Sequence, residues 1–471
     1  MKKPSVTVFL LTMMNLATIL SIKNWPFAAE FGFSSLFFIL LAVITFFIPS
    51  ALVSAELATG WPQKGGIFVW VKEALGDRMG FLAVWLLWVQ NIPWYPTILS
   101  FIAGTMAYAI EPSLADNNLF TFFTILIVFW GVTLLNFKGI RFSGFISTLG
   151  VITGTLLPGA LIVILGLSWL YWGKPMEIEM TWNSFIPSIT HPYQLVFLSG
   201  VILSFAGIEM NAVHANDVEN PQKSYPLAIL ISVVLIVIFT SLGTLAIAMV
   251  IPQEKINLIA GSVAAIDYFL TAYNLKGYIP LISVLISFGA LAGLSTWIAG
   301  PSKGLFTAAE NGDLPPIFRK VNQNGTPVGM LILQGVIVTI LATVFLIMPN
   351  VSSSFWMMTA MVSQLYLLMY LLLFISAIVL KIKRPEVTRA FCVPGKKWGM
   401  YIVSSMGILS SLFCIVFGFF PPTQIDTGGV LQYELIQVIG IVIFSLAPFV
   451  ILWFKKPSWN QKYSNKKKGP D

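Results

Sequence analysis

Charged residues are scarce in this chain: Asp, Glu, Lys and Arg make up 10% of its 471 residues, whereas 57% are hydrophobic. Average soluble proteins carry about 25% charged residues. The composition therefore excludes a soluble globular protein and predicts a polytopic membrane protein.

Cysteine and histidine are rarer still, with two of each. Cys392 lies near a predicted loop and Cys414 inside a predicted span, which is too far apart in depth for a disulfide. His191 and His214 have neither the acid nor the metal-ligand spacing of a catalytic cluster. A membrane-embedded enzyme is therefore disfavoured, and we expect no cofactor and no metal.

Long apolar stretches, in contrast, are abundant. A helix needs about 20 apolar residues to cross the hydrocarbon core, and twelve stretches meet this requirement. They run roughly over 6–29, 35–57, 80–110, 119–136, 142–172, 194–215, 225–251, 278–309, 328–348, 354–380, 398–420 and 433–454. The segments between them are too short for a soluble domain.

Basic residues are distributed unevenly between the two predicted sides. With a cytoplasmic N-terminus, every Lys and Arg lies on the cytoplasmic side except Lys23, Lys174, Lys255 and Lys276. This bias predicts a multi-pass protein of the cell (inner) membrane with both termini in the cytoplasm. The net charge of +8 then favours the anionic inner leaflet of the bilayer, and not nucleic acid, as partner. The first stretch lacks the cleavage site of a signal peptide, so we expect it to be retained.

Two of the apolar stretches are interrupted. Segment 21–26 places Lys23 and Pro26 inside the first stretch, and the sixth stretch carries Gly207 beside Glu209. Hydrocarbon cannot satisfy an opened backbone, so a broken helix must be buried in protein or face an aqueous cavity. Many secondary transporters build their substrate site from such helices. We therefore expect a substrate cavity between helices 1 and 6.

The positions of the interruptions also predict the fold. The link 216–224 between helices 6 and 7 is too short for a 6+6 transporter, and the interruptions occupy equivalent places in two halves of five helices. The prediction is an all-α membrane protein with twelve transmembrane helices, in which a LeuT-like 5+5 inverted-repeat core is followed by two extra helices. Its parts are the transport core 1–380, a cytoplasmic loop 381–397, helices 11 and 12 within 398–454, and a short basic cytoplasmic tail 455–471. Helices 11 and 12 are available for a homodimer contact.

Several motifs resemble the amino acid-polyamine-organocation superfamily over nearly the whole chain. Two are signatures of the superfamily, namely Glu56-Leu57-Ala58-Thr59 with Pro62 and Gly65-Gly66, and Gly207-Ile208-Glu209 with 217–221. The run 314–328 resembles the arginine/agmatine antiporters. Segments 297–304 and 248–258 resemble the glutamate/γ-aminobutyrate antiporters more closely.

The resemblance implies an amino-acid substrate. Half-helix N-termini would bind its carboxylate, and free carbonyls of helix 6 would accept its ammonium. The flexible break of the superfamily maps to 19–21, where this chain lacks both glycines. The resemblance, together with polar residues within the spans, predicts a substrate site formed by Leu20, Ser21, Lys23, Asn91, Trp94, Ser204, Ala206, Trp297 and Ser363.

Several of these residues have an alternative interpretation. Lys23 could pair with the acidic side chain of a substrate or repel cationic substrates, or its stem could snorkel to the outer interface beside Glu30. The patch around Asn91 and Trp94 could reflect proline kinks packed against neighbouring helices. Trp297 could be a packing residue.

Glu209 and His214 are the predicted gating or proton-carrying groups. Glu209 resembles the sixth-helix glutamate that is implicated in coupling or gating in the superfamily, but it could instead be a structural carboxylate bonded to the broken backbone. His214 titrates in a useful range, although it lies near the helix end.

The predicted function is a secondary active amino-acid antiporter that works by alternating access. It would exchange glutamate or a glutamine-like amino acid for a related amino acid or its decarboxylation product. The alternative is a proton-coupled permease for neutral or other amino acids. A channel would line a continuous pore with polar rings, which these scattered residues do not provide.

Overall fold

The computed structural model describes residues 7–63, 65–138, 149–150, 152–187, 195–211, 221–422 and 425–459. These ranges contain helices and connecting segments and no strand. In the first part of the chain the helices are α1 Val8–Ile19, α2 Trp25–Ala29, α3 Ser35–Ala42, α4 Ile48–Gly60, α5 Ile67–Leu75, α6 Asp77–Val89, α7 Asn91–Ile110, α8 Asn118–Asn136, α9 Leu157–Tyr171, α10 Trp182–Phe185 and α11 Val196–Leu203.

The second part of the chain continues the bundle with longer helices. They are α12 Pro221–Val250, α13 Gly261–Ala272, α14 Ile279–Glu310, α15 Val328–Ala342, α16 Val344–Ile347, α17 Val351–Lys383, α18 Lys396–Phe417 and α19 Val430–Trp453. The prediction of an all-α membrane protein is confirmed.

Within the described ranges, ten helical stretches are long and apolar enough to cross a membrane. They are Val8–Ala29, Gly32–Gly60, Asn118–Asn136, Ile152–Tyr171, Lys223–Val250, Lys276–Leu294, Val328–Ile347, Val351–Lys383, Lys396–Phe417 and Val430–Trp453. Each corresponds to one of the twelve predicted stretches.

The other two predicted stretches differ from simple spans. Stretch 80–110 is divided into α6 and α7 by a turn at Gln90, and stretch 194–215 contains the shorter apolar helix Val196–Asn211. In the first case Pro93 has no N–H to donate to the helical hydrogen bonds after the turn. In the second case the α-helix ends at Leu203, inside the stretch. The twelve-helix arrangement therefore stays a prediction.

Two helices widen into one π turn before a proline. The π segment Val43–Phe47 precedes Pro49 in α4, and the π segment Ile152–Leu156 precedes Pro158 in α9. Since proline has no N–H to donate, the ladder shifts register there and still continues through the span.

Broken helix α1–α2 lies against the centre of the bundle. Its segment α1 packs on α12, and α2 packs on both α11 and α12. Trp25 is fully buried, and a Cβ at Gly243 of α12 would lie 2.3 Å from its ring. Glycine is therefore needed at this position so that α2 can approach α12. The 33-residue helix α17 packs on α6, α7 and α11 and so faces the same region.

Candidate substrate site

The first interruption is a true helix break. Helix α1 ends at Ile19, and Leu20 and Ser21 have extended backbones with ψ angles of 110° and 119°. A short 3-10 helix Ile22–Asn24 then leads into α2. A helix end leaves carbonyls unsatisfied and a helix start leaves N–H groups unsatisfied. The break thus offers backbone acceptors and donors at one depth of the bundle.

The second interruption opens the sixth stretch. Helix α11 ends at Leu203, and 206–207 are not helical before a 3-10 turn at 208–211. Gly207 has φ +120°, a conformation that side chains with a Cβ rarely adopt. A Cβ at this position would lie 3.2 Å from Thr18 Cγ2 of α1. The two breaks are therefore in direct contact, which the sequence could only suggest.

Glu209 is held by two tyrosines of α17. The Tyr366 hydroxyl donates to Glu209 Oε1 at 2.5 Å, and the Tyr370 hydroxyl donates to Oε2. The Gly207 N–H in turn donates to the Tyr370 oxygen at 2.7 Å. Glu209 and Gly207 are both buried. This cluster joins the second break to α17, and the two tyrosines were missed by the sequence analysis because an i, i+4 pair of aromatic residues is common in helix cores.

A second polar cluster joins the two broken helices to α12. Asn211 Nδ2 donates to Asn15 Oδ1 at 2.9 Å and to Thr18 Oγ1 at 3.2 Å. Asn15 Nδ2 donates to Ser232 Oγ at 3.0 Å. Buried polar groups of this kind are costly unless they are bonded. The hydrogen bonds therefore couple α1 to the segment after the second break.

Lys23 is buried just beyond the first break. The side chain is 4% exposed, with Nζ 3.5 Å from Thr97 Oγ1 and 5.2 Å from the centre of the Phe355 ring. The described residues place no carboxylate within ion-pairing distance. The ammonium therefore does not reach the outer surface, contrary to the snorkelling alternative. A weak hydrogen bond and a ring face leave most of its charge uncompensated.

Three predicted aromatic and amide residues lie around the start of α7. The rings of Trp94 and Trp297 are 5.5 Å apart, and the Tyr95 hydroxyl donates to the Trp297 carbonyl at 3.0 Å. Asn91 Nδ2 donates at 2.8 Å to the Leu87 carbonyl in the last turn of α6. Asn91 Oδ1 is buried with no partner among the described residues. The predicted pair of tryptophans is thus in contact, and Asn91 keeps one acceptor free.

The remaining predicted residues lie along the second break. The Ser204 hydroxyl donates to the Val201 carbonyl at 2.6 Å, and the Ser363 hydroxyl of α17 donates to the Ser199 carbonyl at 3.3 Å. Ala206 is buried as well. Both serines therefore bond to helix carbonyls. His214 and His191 lie outside the described residues.

A segment that the sequence analysis passed over covers the first break. The Ser262 hydroxyl at the start of α13 donates to the Ile22 carbonyl at 2.5 Å, and Gln253 Nε2 donates to the Glu30 carbonyl. The Ile22 carbonyl therefore accepts two hydrogen bonds, one from this segment and one from the Trp25 N–H. Burial raises the pKa of the Glu30 carboxyl, which follows the first span, to about 8.

The Glu56 signature has a structural explanation at the predicted cytoplasmic end. Glu56 is 1% exposed, and its Oε1 lies 2.7 Å from Lys381 Nζ and 3.3 Å from Arg389 Nε. The Val393 N–H donates to Oε2 at 2.7 Å. One carboxylate thus joins the end of α4 to the end of α17 and to the following loop.

Replacing Gly207 with Ala is expected to weaken the second break. The positive φ and the 3.2 Å approach to Thr18 both oppose a Cβ, which costs about 1–3 kcal/mol. We expect a lower thermal unfolding midpoint and a lower transport rate. Gly131→Ala is the matched control, because a Cβ at this position in α8 meets nothing within 4 Å. Equal behaviour of the two variants would contradict the role of Gly207.

Two discontinuous helices in contact inside a multi-pass helical bundle define a class, the secondary transporters. The chain belongs to the amino acid permease family, whose model matches residues 4–444, and it falls within the amino acid-polyamine-organocation superfamily. The proteins of this family are transporters and not enzymes. The resemblance found in the sequence motifs is confirmed.

Named relatives cover almost the whole chain. An uncharacterized transporter of Legionella pneumophila is 40% identical over 448 residues, covering 95% of this chain and 96% of its own length. A glutamate/gamma-aminobutyrate antiporter of Lactococcus lactis is 32% identical over 457 residues, covering 96% and 91%. A protein named as a probable agmatine/putrescine antiporter, from the same species, is 26% identical over 420 residues, covering 88% of each chain.

Proposed function

We propose that this protein is an amino-acid antiporter whose substrate binds between the two helix breaks and carries an acidic side chain. The observation that carries the proposal is the buried Lys23 ammonium, for which the described residues provide no carboxylate. An uncompensated buried charge is costly, so its retention is explained best by a ligand that supplies the counter-charge. Glutamate or a close analogue has the required second carboxylate.

Backbone groups would bind the common part of the substrate. The start of the Ile22–Asn24 turn presents N–H groups to the α-carboxylate, and carbonyls released after Leu203 accept the α-ammonium. The Trp94–Trp297 pair and the free Asn91 Oδ1 would then line the side of the pocket formed by α7 and α14. Side chains, and not the backbone, would choose among amino acids.

The proposed architecture is the LeuT-like 5+5 inverted repeat with two extra helices. Breaks in the first and sixth stretches support it, as does the contact between them. In this arrangement α1–α2 and the sixth stretch move together, because Asn211 and Asn15 bond them to each other. We place both termini in the cytoplasm of the cell on the basis of the basic residues. A homodimer through α18 and α19 stays a prediction.

Uptake into proteoliposomes tests the function. The purified chain is reconstituted with or without internal glutamate, and uptake of labelled glutamate is followed. Flux that requires internal substrate is the expected result for an antiporter. Saturable uptake without internal substrate would favour the permease alternative, and no flux of any amino acid would reject both. A competition panel of glutamate, glutamine, γ-aminobutyrate, arginine and neutral amino acids then identifies the substrate.

Replacing Glu209 with Gln distinguishes pure exchange from proton coupling. If its carboxylate only ties the second break to Tyr366 and Tyr370, Glu209→Gln keeps one acceptor and loses the charge-assisted bonds. We expect exchange to slow about tenfold, since such bonds are worth roughly 1.5–3 kcal/mol, while the pH profile keeps its shape. Exchange is measured between pH 5 and 8 for both proteins. A flattened profile in the variant would contradict pure exchange and favour the proton-coupled permease.

A further inference from the structure

Thr97 of α7 is a buried polar residue that lies outside the predicted set of substrate-binding residues. Its side chain is 1% exposed, and its Oγ1 accepts a hydrogen bond from Lys23 Nζ at 3.5 Å. The Lys23 ammonium makes no other hydrogen bond within the described part of the chain. Thr97 is therefore the polar neighbour of the group to which the proposed function assigns the choice of substrate.

The orientation of the Thr97 hydroxyl is fixed by its own helix. Oγ1 donates its proton to the Trp94 carbonyl at 2.8 Å, one turn earlier in α7. Helical threonines commonly use their hydroxyl in this way. Because the proton is directed at Trp94, the lone pairs of Oγ1 remain to accept a hydrogen bond. The hydroxyl thus presents the negative end of its dipole to the Lys23 ammonium.

An aromatic ring is the second neighbour of the ammonium. Lys23 Nζ lies 5.2 Å from the centre of the Phe355 ring. This ring is fully buried and stacks on the Phe27 ring with 5.6 Å between the centres and 19° between the planes. A ring face attracts a cation but does not direct its individual N–H groups. Of the two neighbours, the Thr97 hydroxyl therefore sets the direction of the Lys23 donors.

This arrangement leaves donors for a carboxylate. A lysine ammonium has three N–H donors, and one of them is directed to Thr97. Two donors remain, and a carboxylate has two oxygens to accept them. A lysine side chain that is already held in one orientation also loses less rotamer freedom when a ligand binds, which lowers the cost of binding.

We propose that Thr97 is a positioning residue, which holds the Lys23 ammonium so that its two remaining N–H groups meet the side-chain carboxylate of the substrate. The inference rests on the proposed function, because it gives Thr97 a part in the selection of acidic substrates. Thr97 acts through Lys23 and not by contact with the substrate. Loss of its hydroxyl therefore weakens acidic substrates and leaves neutral substrates unaffected.

Thr97→Val in proteoliposomes tests the proposal, because valine keeps the β-branched shape and removes the hydroxyl. The measured quantity is the inhibition constant of a neutral amino acid divided by that of glutamate. Both constants come from one sample, so the ratio does not depend on the amount of folded protein. We expect the preference for glutamate to fall about fivefold, which corresponds to the loss of one hydrogen bond. Thr97→Ser keeps the hydroxyl and should retain most of the preference.

Thr105→Val is the matched control. Thr105 lies in the same helix and is 0% exposed, and its hydroxyl has no hydrogen-bond partner among the described residues. It follows Thr97 by 8 residues, which corresponds to about 12 Å at the helical rise. The same substitution at this distance from Lys23 should leave the ratio of the two constants unchanged.

A second background separates an effect through Lys23 from an effect through Trp94, since the Thr97 hydroxyl bonds to both. In a Lys23→Met protein, Thr97→Val should cause no further change in the ratio, because the ammonium through which it acts is gone. A further fall of the ratio in this background would show that the hydroxyl acts through the Trp94 carbonyl, and it would overturn the proposal.

Two other results would also overturn it. One is an unchanged ratio in Thr97→Val, and the other is a fall in Thr97→Ser as large as that in Thr97→Val. Both leave the proposed function standing if the unaltered protein prefers glutamate and loses this preference in Lys23→Met. An unaltered protein without any preference for glutamate would instead reject the proposed function and, with it, this role of Thr97.

Discussion

Replacing Glu56 with Ala is expected to destabilise the protein by about 3–5 kcal/mol, because Lys381 and Arg389 would lose the carboxylate that they share. The Lys381 and Arg389 side chains are 9% and 6% exposed, so water cannot replace the lost partner without rearrangement. The Val393 N–H would also lose its acceptor. Thermal unfolding of the purified protein in detergent, followed by size-exclusion chromatography, measures the loss.

A surface ion pair at the same end provides the control. Glu73 lies 3.8 Å from Arg384 with both side chains well exposed, and exposed pairs contribute at most about 1 kcal/mol. Glu73→Ala should therefore change the unfolding midpoint little. In a double-mutant cycle, Lys381→Met combined with Glu56→Ala should cost less than the sum of the single changes. Additive losses would show that the two side chains do not depend on each other.

Replacing Lys23 with Met is expected to abolish the preference for acidic substrates. The variant removes the charge that lies between Thr97 and Phe355 and keeps an apolar stem. Loss of one partner of a buried charge pair costs about 2–5 kcal/mol, so competition by glutamate or aspartate should weaken at least about 30-fold. Competition by neutral amino acids should weaken far less. Inhibition constants for both classes are measured in proteoliposomes.

Lys276→Met controls for the change in net charge. Lys276 is exposed at the predicted outer side, so its loss should leave the substrate preference unchanged. If Lys23→Met weakened acidic and neutral substrates equally, Lys23 would be a structural residue and would not select the substrate. Improved competition by arginine in Lys23→Met would support the repulsion of cationic substrates as well.

Helix positions were the most predictable feature of this protein. Each of the ten span-length stretches coincides with a predicted apolar stretch, because burial in hydrocarbon requires about 20 apolar residues in sequence. The breaks were predictable for the same reason. Lys23, Pro26 and the Gly207–Glu209 pair violate a rule that is otherwise followed through the chain.

Side-chain partners could not be predicted in the same way. Tyr366 and Tyr370 are ordinary core residues by sequence, yet they donate hydrogen bonds to Glu209, which lies 157 and 161 positions away. Ser262 likewise gave no signal, although it bonds to the Ile22 carbonyl from a distant connecting segment. These contacts depend on which helices become neighbours, and neither hydropathy nor local spacing encodes that.

The sequence by itself determined that this is a multi-pass helical membrane protein with two interrupted spans. It also showed the resemblance to the amino acid-polyamine-organocation superfamily. Composition, motifs and local interruptions can be read from a linear chain. Only the tertiary structure decided that the breaks touch at Gly207 and Thr18 and that the Lys23 ammonium turns inward to Thr97. It also decided that Glu56 is the shared partner of two cations. The physical reason is that the cost of a buried charge depends on what surrounds it, and those surroundings come from residues far away in the sequence.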